Sequence, residues 1–182
     1  QLVRRYTDDL GTVTAGSKAP LLHALNKAQR KYQQGRKLFE QHNYFDCLMK
    51  VSKALECFYT IEPPSANLKE NLPQVYQVVK DCYLLFASCY VHLDQQDAPH
   101  AQNQQSHQSY AKNSLNLILK VEPSDAQALY LRGQANELMP ETAHLALLDY
   151  QRAYDLAKQV RGNSKSTNLR KALEKKLKKV GG

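Results

Sequence analysis

The chain has 182 residues, 25 Lys and Arg against 17 Asp and Glu, four cysteines and no tryptophan. That length suits one ordinary folded unit able to bury most of its apolar surface without cross-links. The cysteines (Cys47, Cys57, Cys82, Cys89) have no CxxC pairing and sit inside apolar periodic stretches, which argues against a disulfide framework or a zinc knuckle. No apolar run approaches the roughly 20 residues of a membrane span, so a soluble intracellular protein is expected, cytoplasmic and also nuclear.

Residues 1–20 read as a lead-in, or the remnant of an upstream domain. From there the apolar pattern is helical and strand signals are faint: Leu38, Tyr44, Cys47, Leu48, Val51 and Leu55 recur at three to four residue spacing, as do Leu84, Ala87, Tyr90 and Val91. The first helix pair is expected to run on through "LECFYTIE" until Pro63-Pro64 stops it. "DQQDAPHAQNQQSHQS", residues 94–109, has six glutamines and no large apolar side chain. Too little surface can be buried there to offset ordering, so a long disordered hairpin loop is predicted. Near the end, Ser164 or Ser166 is a candidate N-cap for a helix that sets Leu169, Leu173, Leu177 and Val180 on one face. The charge excess is confined to this region: residues 158–182 hold nine basic residues and only Glu174.

Self-comparison reveals three helical hairpins. Gly35, Ala87 and Gly133 occupy equivalent small-residue positions in the first helix of each, and Cys47, Ala111 and Ala146 do so in the second. These spacings resemble the 34-residue tetratricopeptide repeat (TPR). "GRKLFEQHNY", "VKDCYLLFASCYVHL", "ALYLRGQANEL" and "LRKALEKKLKKV", taken in order, are similar to the TPR domain of the large FK-binding immunophilins over about residues 24–180. The resemblance implies an all-α fold, with three hairpins winding into a right-handed superhelix over residues 21–163 and a basic capping helix over 164–182. It implies no isomerase activity, because the lead-in is far too short for that family's catalytic domain.

Many members of that family bind the acidic C-terminus of the ninety-kilodalton heat-shock chaperone through a carboxylate clamp. The resemblance places the clamp positions on Tyr32, Arg36, Leu85, Gln127 and Leu131, where the family has Lys, Asn, Asn, Lys and Arg. None matches, and losing several charge-assisted contacts of about 1.5–3 kcal/mol each would abolish micromolar tail binding. Conventional chaperone-tail binding is therefore not expected. The sequence instead suggests a clamp-less interaction scaffold with a partly apolar groove offered by Tyr32, Leu85 and Leu131, although apolar residues at helical spacing are also what a core requires. One clamp-less relative is a circadian-clock scaffold that binds a casein kinase, which makes a kinase an expected partner.

Two alternatives stay open. One is a co-chaperone with an altered clamp built from Arg36, Lys37 and Arg132. The other is a basic-tail adaptor that presents Arg170, Lys171, Lys175, Lys176, Lys178 and Lys179 to calmodulin; the plainer reading of this stripe is a solvated face. A homodimer that pairs two concave faces also stays open. The six histidines lack HxxxH or HExxH spacing, and no catalytic motif or phosphate-cradling loop is present. Neither a cofactor, a metal, nucleic acid, a membrane nor enzymatic activity is expected.

Overall fold

A computed structural model describes residues 15–58, 63–96, 101–160 and 164–180. Eight α-helices follow one another among them: α1 Ala15–Glu40, α2 Tyr44–Leu55, α3 Ala66–Asn71, α4 Pro73–Gln96, α5 Ala101–Val121, α6 Ala126–Glu137, α7 Ala143–Gln159 and α8 Ser164–Val180. No strand occurs among the described residues. The chain divides into two compact units, Gln1–Cys89 and Tyr90–Gly182, with the division inside α4.

In the first unit, α1 and α2 form a hairpin. Its turn uses His42 at φ 60°, a left-handed conformation unusual for a residue with a Cβ. The neighbouring amides of Gln41 and Asn43 bond back to Lys37 and Leu38 carbonyls at 3.1 and 2.9 Å, and the Asn43 side chain caps α2 by accepting from the Asp46 amide at 3.2 Å. The helices cross at Gly35, where a Cβ would lie 3.0 Å from Val51 Cγ2. Cys47, Val51, Ala54 and Ala28 are fully buried. The α2 helix stops at Leu55 and tightens into a 3₁₀ turn, Glu56–Phe58, that buries Phe58. The expected continuation as one helix is thus corrected through Phe58, and 59–62 lie outside the described residues.

The short α3 helix is capped by Ser65, whose hydroxyl accepts from the Leu68 amide at 3.1 Å, and anchored by fully buried Leu68. Pro73 opens α4 at the position where a missing amide hydrogen costs least. Val75, Val79, Cys82 and Ala87 of α4 are buried.

The expected disordered loop at 94–109 needs correction. Residues 94–96 continue α4 and residues 101–109 already belong to α5, while 97–100 lie outside the described residues. Glutamine and alanine are good helix formers, which the shortage of large apolar residues obscured. Gln108 is buried, and His107 lies with its ring centroid 5.6 Å from that of Tyr90.

The second unit is built on α6, which packs against both α5 and α7. Its buried residues fall all around the helix, including Ala128, Leu129, Leu131, Gly133 and Ala135, as a helix flanked on several sides requires. Asp125 caps it by accepting from the Ala128 amide at 2.9 Å. Gly133 lies under Tyr150 of α7, where a Cβ would come 2.6 Å from Cε1. The final helix, α8, packs on α7 and buries Leu173 completely. Ser166 does not act as the start signal, because α8 already begins at Ser164; its hydroxyl donates to the Ala157 carbonyl at 2.8 Å and ties α8 to the end of α7.

Candidate functional site

A cavity of about 1040 Å³ runs beside α1 and α4 in the first unit. Leu25 and Tyr32 of α1 and Val78 and Asp81 of α4 contribute to its lining, and the Asp81 charge is felt by the Tyr32 phenol. Spacing of three and four residues brings Asn26, Gln29, Arg30, Gln33 and Lys37 onto one face of α1. The same spacing sets Gln74, Gln77 and Asp81 on the facing side of α4. The cleft is thereby walled by side-chain amides, each of which can both donate and accept.

Three lining residues carry charge: Arg30, Lys37 and Asp81. Gln77 Nε2 donates to Asp81 Oδ1 at 2.9 Å, which orients that carboxylate within its own helix. The phenol of Tyr32 is pushed up to about 12, chiefly by burial and then by the Asp81 charge, with Arg36 pulling the other way. Tyr32 therefore remains a neutral hydroxyl throughout the physiological range.

The residues nominated from sequence separate into distinct roles. Tyr32 lines the cleft. Arg36 does not; its exposed guanidinium lies 3.6 Å from Glu40 one turn on. Leu85 and Leu131 are 8% and 3% exposed, which corrects the expectation that they offer an apolar surface. Leu85 continues the buried row Val78, Cys82 and Cys89 on α4, and Leu131 continues Ala128 and Ala135 on α6; both rows follow the three to four residue spacing of a core face. Gln127 is exposed on α6.

Arg132 serves the interior of the second unit. Its Nε and Nη2 donate to both oxygens of buried Asp149 at 2.9 and 2.7 Å, and Nη1 donates to Asn116 Oδ1 at 3.0 Å. Asn136 Nδ2 adds a third bond to Asp149 at 3.1 Å. A two-pronged guanidinium held on a carboxylate in this way is a poor candidate for capturing another one, so Arg132 is corrected from clamp cation to internal tie.

The basic tail is divided too. Lys176 and Lys179 both bond to Glu137 of α6, at 2.5 and 3.2 Å, and the Tyr150 hydroxyl donates to the same carboxylate at 2.7 Å. Burial pushes Glu137 up, but the bonds from Lys176, Tyr150 and Lys179 outweigh it and hold the carboxyl below its ordinary value. Arg170 lies 3.9 Å from Glu174, and Lys171, Lys175 and Lys178 are exposed.

Among the described residues no group of three or more His, Cys, Asp or Glu could hold a metal ion. None of the described helices is long and apolar enough to cross a membrane.

The polar wall of the cleft, Gln29, Arg30, Gln33, Gln34, Gln74 and Gln77, was missed by sequence reasoning. A usable signal existed in "KAQRKYQQGRK": the polar residues lie on the side of α1 away from Ala24, Ala28 and Gly35, the face buried by the hairpin.

No protein-family model matches the chain, and no curated protein does either. Among solved structures, the C-terminal TPR-containing domain of an FK506-binding protein from Plasmodium falciparum superposes with a TM-score of 0.55 at 20% identity, covering 86% of this chain and 91% of that one. The fold is that of a TPR domain. At this identity the likeness concerns the backbone, and Gly35, Gly133 and the fully buried Cys47, Ala87, Ala111 and Ala146 fill the small-residue positions which that fold needs.

Proposed function

We propose that the chain is a non-catalytic scaffold of the clamp-less immunophilin type, holding a protein partner in the cleft between α1 and α4. The observation that carries this reading is the cleft itself: about 1040 Å³, open along one side of the first unit and lined by amides rather than by a ring of cations. Amide walls suit a peptide chain, whose own N–H and C=O groups need partners when water is displaced. A chaperone tail is a poor fit, since five family clamp positions are altered and Arg132 is engaged with Asp149. Bride of Doubletime is a clamp-less relative that this chain resembles, and it scaffolds a casein kinase in the circadian clock; a casein kinase is accordingly the first partner to test.

The test is a photo-crosslinker, benzoylphenylalanine, placed at Gln33 in the cleft and, as a control, at exposed Lys53 on α2. A partner protein joined through Gln33 and not through Lys53 is expected. Equal yields at the two positions would sink the proposal, and joining to a second copy of the chain would make the cleft a dimer interface instead. Calorimetry with the acidic chaperone C-terminal peptide tests the co-chaperone alternative, which requires micromolar binding where the scaffold reading expects none. The calmodulin alternative is disfavoured by Leu173, whose complete burial against the rest of the unit would have to be undone.

A further inference from the structure

A second cavity, about 290 Å³, opens at the Leu25 end of the cleft and is lined by Leu21, Leu25, Asn71, Leu72, Pro73, Gln74 and Val75. It shares Leu25 and Gln74 with the large cleft, so the two form one continuous surface within the first unit. Its far wall belongs to the α3–α4 junction, where the α3 C-cap Leu72 meets Pro73. Its chemistry differs from that of the cleft, because aliphatic side chains make up most of its wall.

Resting on the reading of the cleft as a partner site, we infer that the occupant is an extended internal peptide segment. It inserts one large apolar side chain into the Leu21–Leu25–Leu72–Val75 pocket and lays acidic residues along Arg30 and Lys37. Three observations converge on it. First, an α-helix satisfies its own backbone and could meet the facing amides Asn26, Gln29, Gln33 and Gln74 only through side chains, whereas an extended strand brings unpaired N–H and C=O groups to them. Second, 290 Å³ accepts a single side chain and not a helix, whose cylinder is about 10–12 Å across. Third, of the three charged residues lining the cleft, two are the cations Arg30 and Lys37 against the single carboxylate Asp81, so the cleft favours an anionic segment.

The spacing of the recognition follows from helix and strand geometry. At 1.5 Å per residue along α1, Arg30 lies about 7.5 Å beyond Leu25 and Lys37 about 18 Å beyond it. At about 3.3 Å per residue in an extended peptide, these distances correspond to acids two to three and five to six positions from the apolar anchor, both on the same side. No free C-terminus is required, because the wall presents amides and two spaced cations instead of a converging set of donors.

Random dodecapeptides displayed with both ends joined to a carrier protein, and so without a free carboxylate, provide the test. They are selected against the full chain, and the enriched sequences are measured as capped peptides by fluorescence anisotropy. We expect an aliphatic or aromatic anchor with Asp or Glu at these two spacings. Affinity should fall at least tenfold in Leu21→Trp, which obstructs the pocket mouth from half-buried Leu21, and in Lys37→Glu. Asn71→Trp approaches the same pocket from α3 and serves if Leu21→Trp loses its helical circular dichroism. Enriched peptides without an anchor, or binding unchanged in both pocket variants, would overturn the inference while leaving the cleft proposal intact. Failure to enrich any peptide while Gln33 still crosslinks a partner would likewise overturn this inference alone. Absence of both signals would remove the cleft proposal as well.

Discussion

Gly133→Ala places a single methyl group against the tightest contact of the second unit. The added Cβ would lie 2.6 Å from Tyr150 Cε1 and 2.7 Å from Cδ1. Ordinary contact is 3.4–4 Å, so the ring must retreat by about 1 Å. Tyr150 has no exposed surface into which to move, and its hydroxyl is tied to Glu137 at 2.7 Å. Alanine gains about 1 kcal/mol over glycine in a helix interior. Overpacking costs about 1–3 kcal/mol, and a clash with a boxed-in aromatic ring belongs at the upper end. The expected net loss is about 2 kcal/mol, a fall in Tm of roughly 4–8 °C for a chain of this size. Gly35→Ala is the internal control: its nearest neighbour is the Val51 methyl at 3.0 Å, which needs to give only a few tenths of an ångström, so the change should lie within about 1 kcal/mol of zero. Urea unfolding followed by circular dichroism measures both. Removing the ring with Tyr150→Leu should make Gly133→Ala cheaper by more than about 1 kcal/mol in a double-mutant cycle. If Gly133→Ala is as stable as the parent, the packing argument at this crossing is wrong.

Arg132→Met should cost about 3 kcal/mol, because it leaves the Asp149 carboxylate buried without its cation; combining it with Asp149→Asn should recover part of that loss in the same urea assay. Glu137 is held below the ordinary carboxylate value in the folded chain, so its stabilisation is fully present above that value and drains away as pH falls through the depressed one. The urea midpoint should therefore drop more between pH 6 and pH 3.5 in the parent than in Glu137→Gln, and equal drops would contradict the assigned role. Tyr150 titrates in the opposite sense: burial and the bond to Glu137 push its phenol well up, so the stability it gives is present below the ordinary tyrosine value and is lost only in strong alkali. Maleimide labelling read by mass spectrometry should modify Cys57 first, since it is half-buried in the 3₁₀ turn, whereas Cys47, Cys82 and Cys89 have no exposed surface and should react only on unfolding.

The helical architecture was legible because the small residues at the crossings have little alternative use: Gly35 and Gly133 sit where a Cβ would strike Val51 or Tyr150. Cys47, Ala87, Ala111 and Ala146 are likewise fully buried, as their spacing predicted. The glutamine-rich stretch was misread for a physical reason. Burial potential and helix propensity are separate quantities, and residues 101–109 have little of the first and ample of the second. At the site, alignment to clamp positions drew attention to Leu85 and Leu131, although their own spacing with Cys82 and with Ala128 and Ala135 already marked a core face. Arg132 was invisible as a tie because its partner Asp149 lies 17 residues on in another helix, a pairing that no local pattern announces. The cleft amides escaped for a related reason: exposed glutamines on α1 gain meaning only when Gln74 and Gln77 of α4 are brought opposite them.

The central claim, that partners are held in the α1–α4 cleft, is tested most directly by quantitative affinity purification of three chains: the parent, Gln33→Trp with Gln77→Trp to block the cleft, and Lys175→Glu with Lys178→Glu to reverse the tail. The account predicts that the cleft variant stays helical and loses the protein that crosslinks through Gln33, while the tail variant retains it. Retention by the cleft variant and loss by the tail variant would contradict the account and move the interaction to α8.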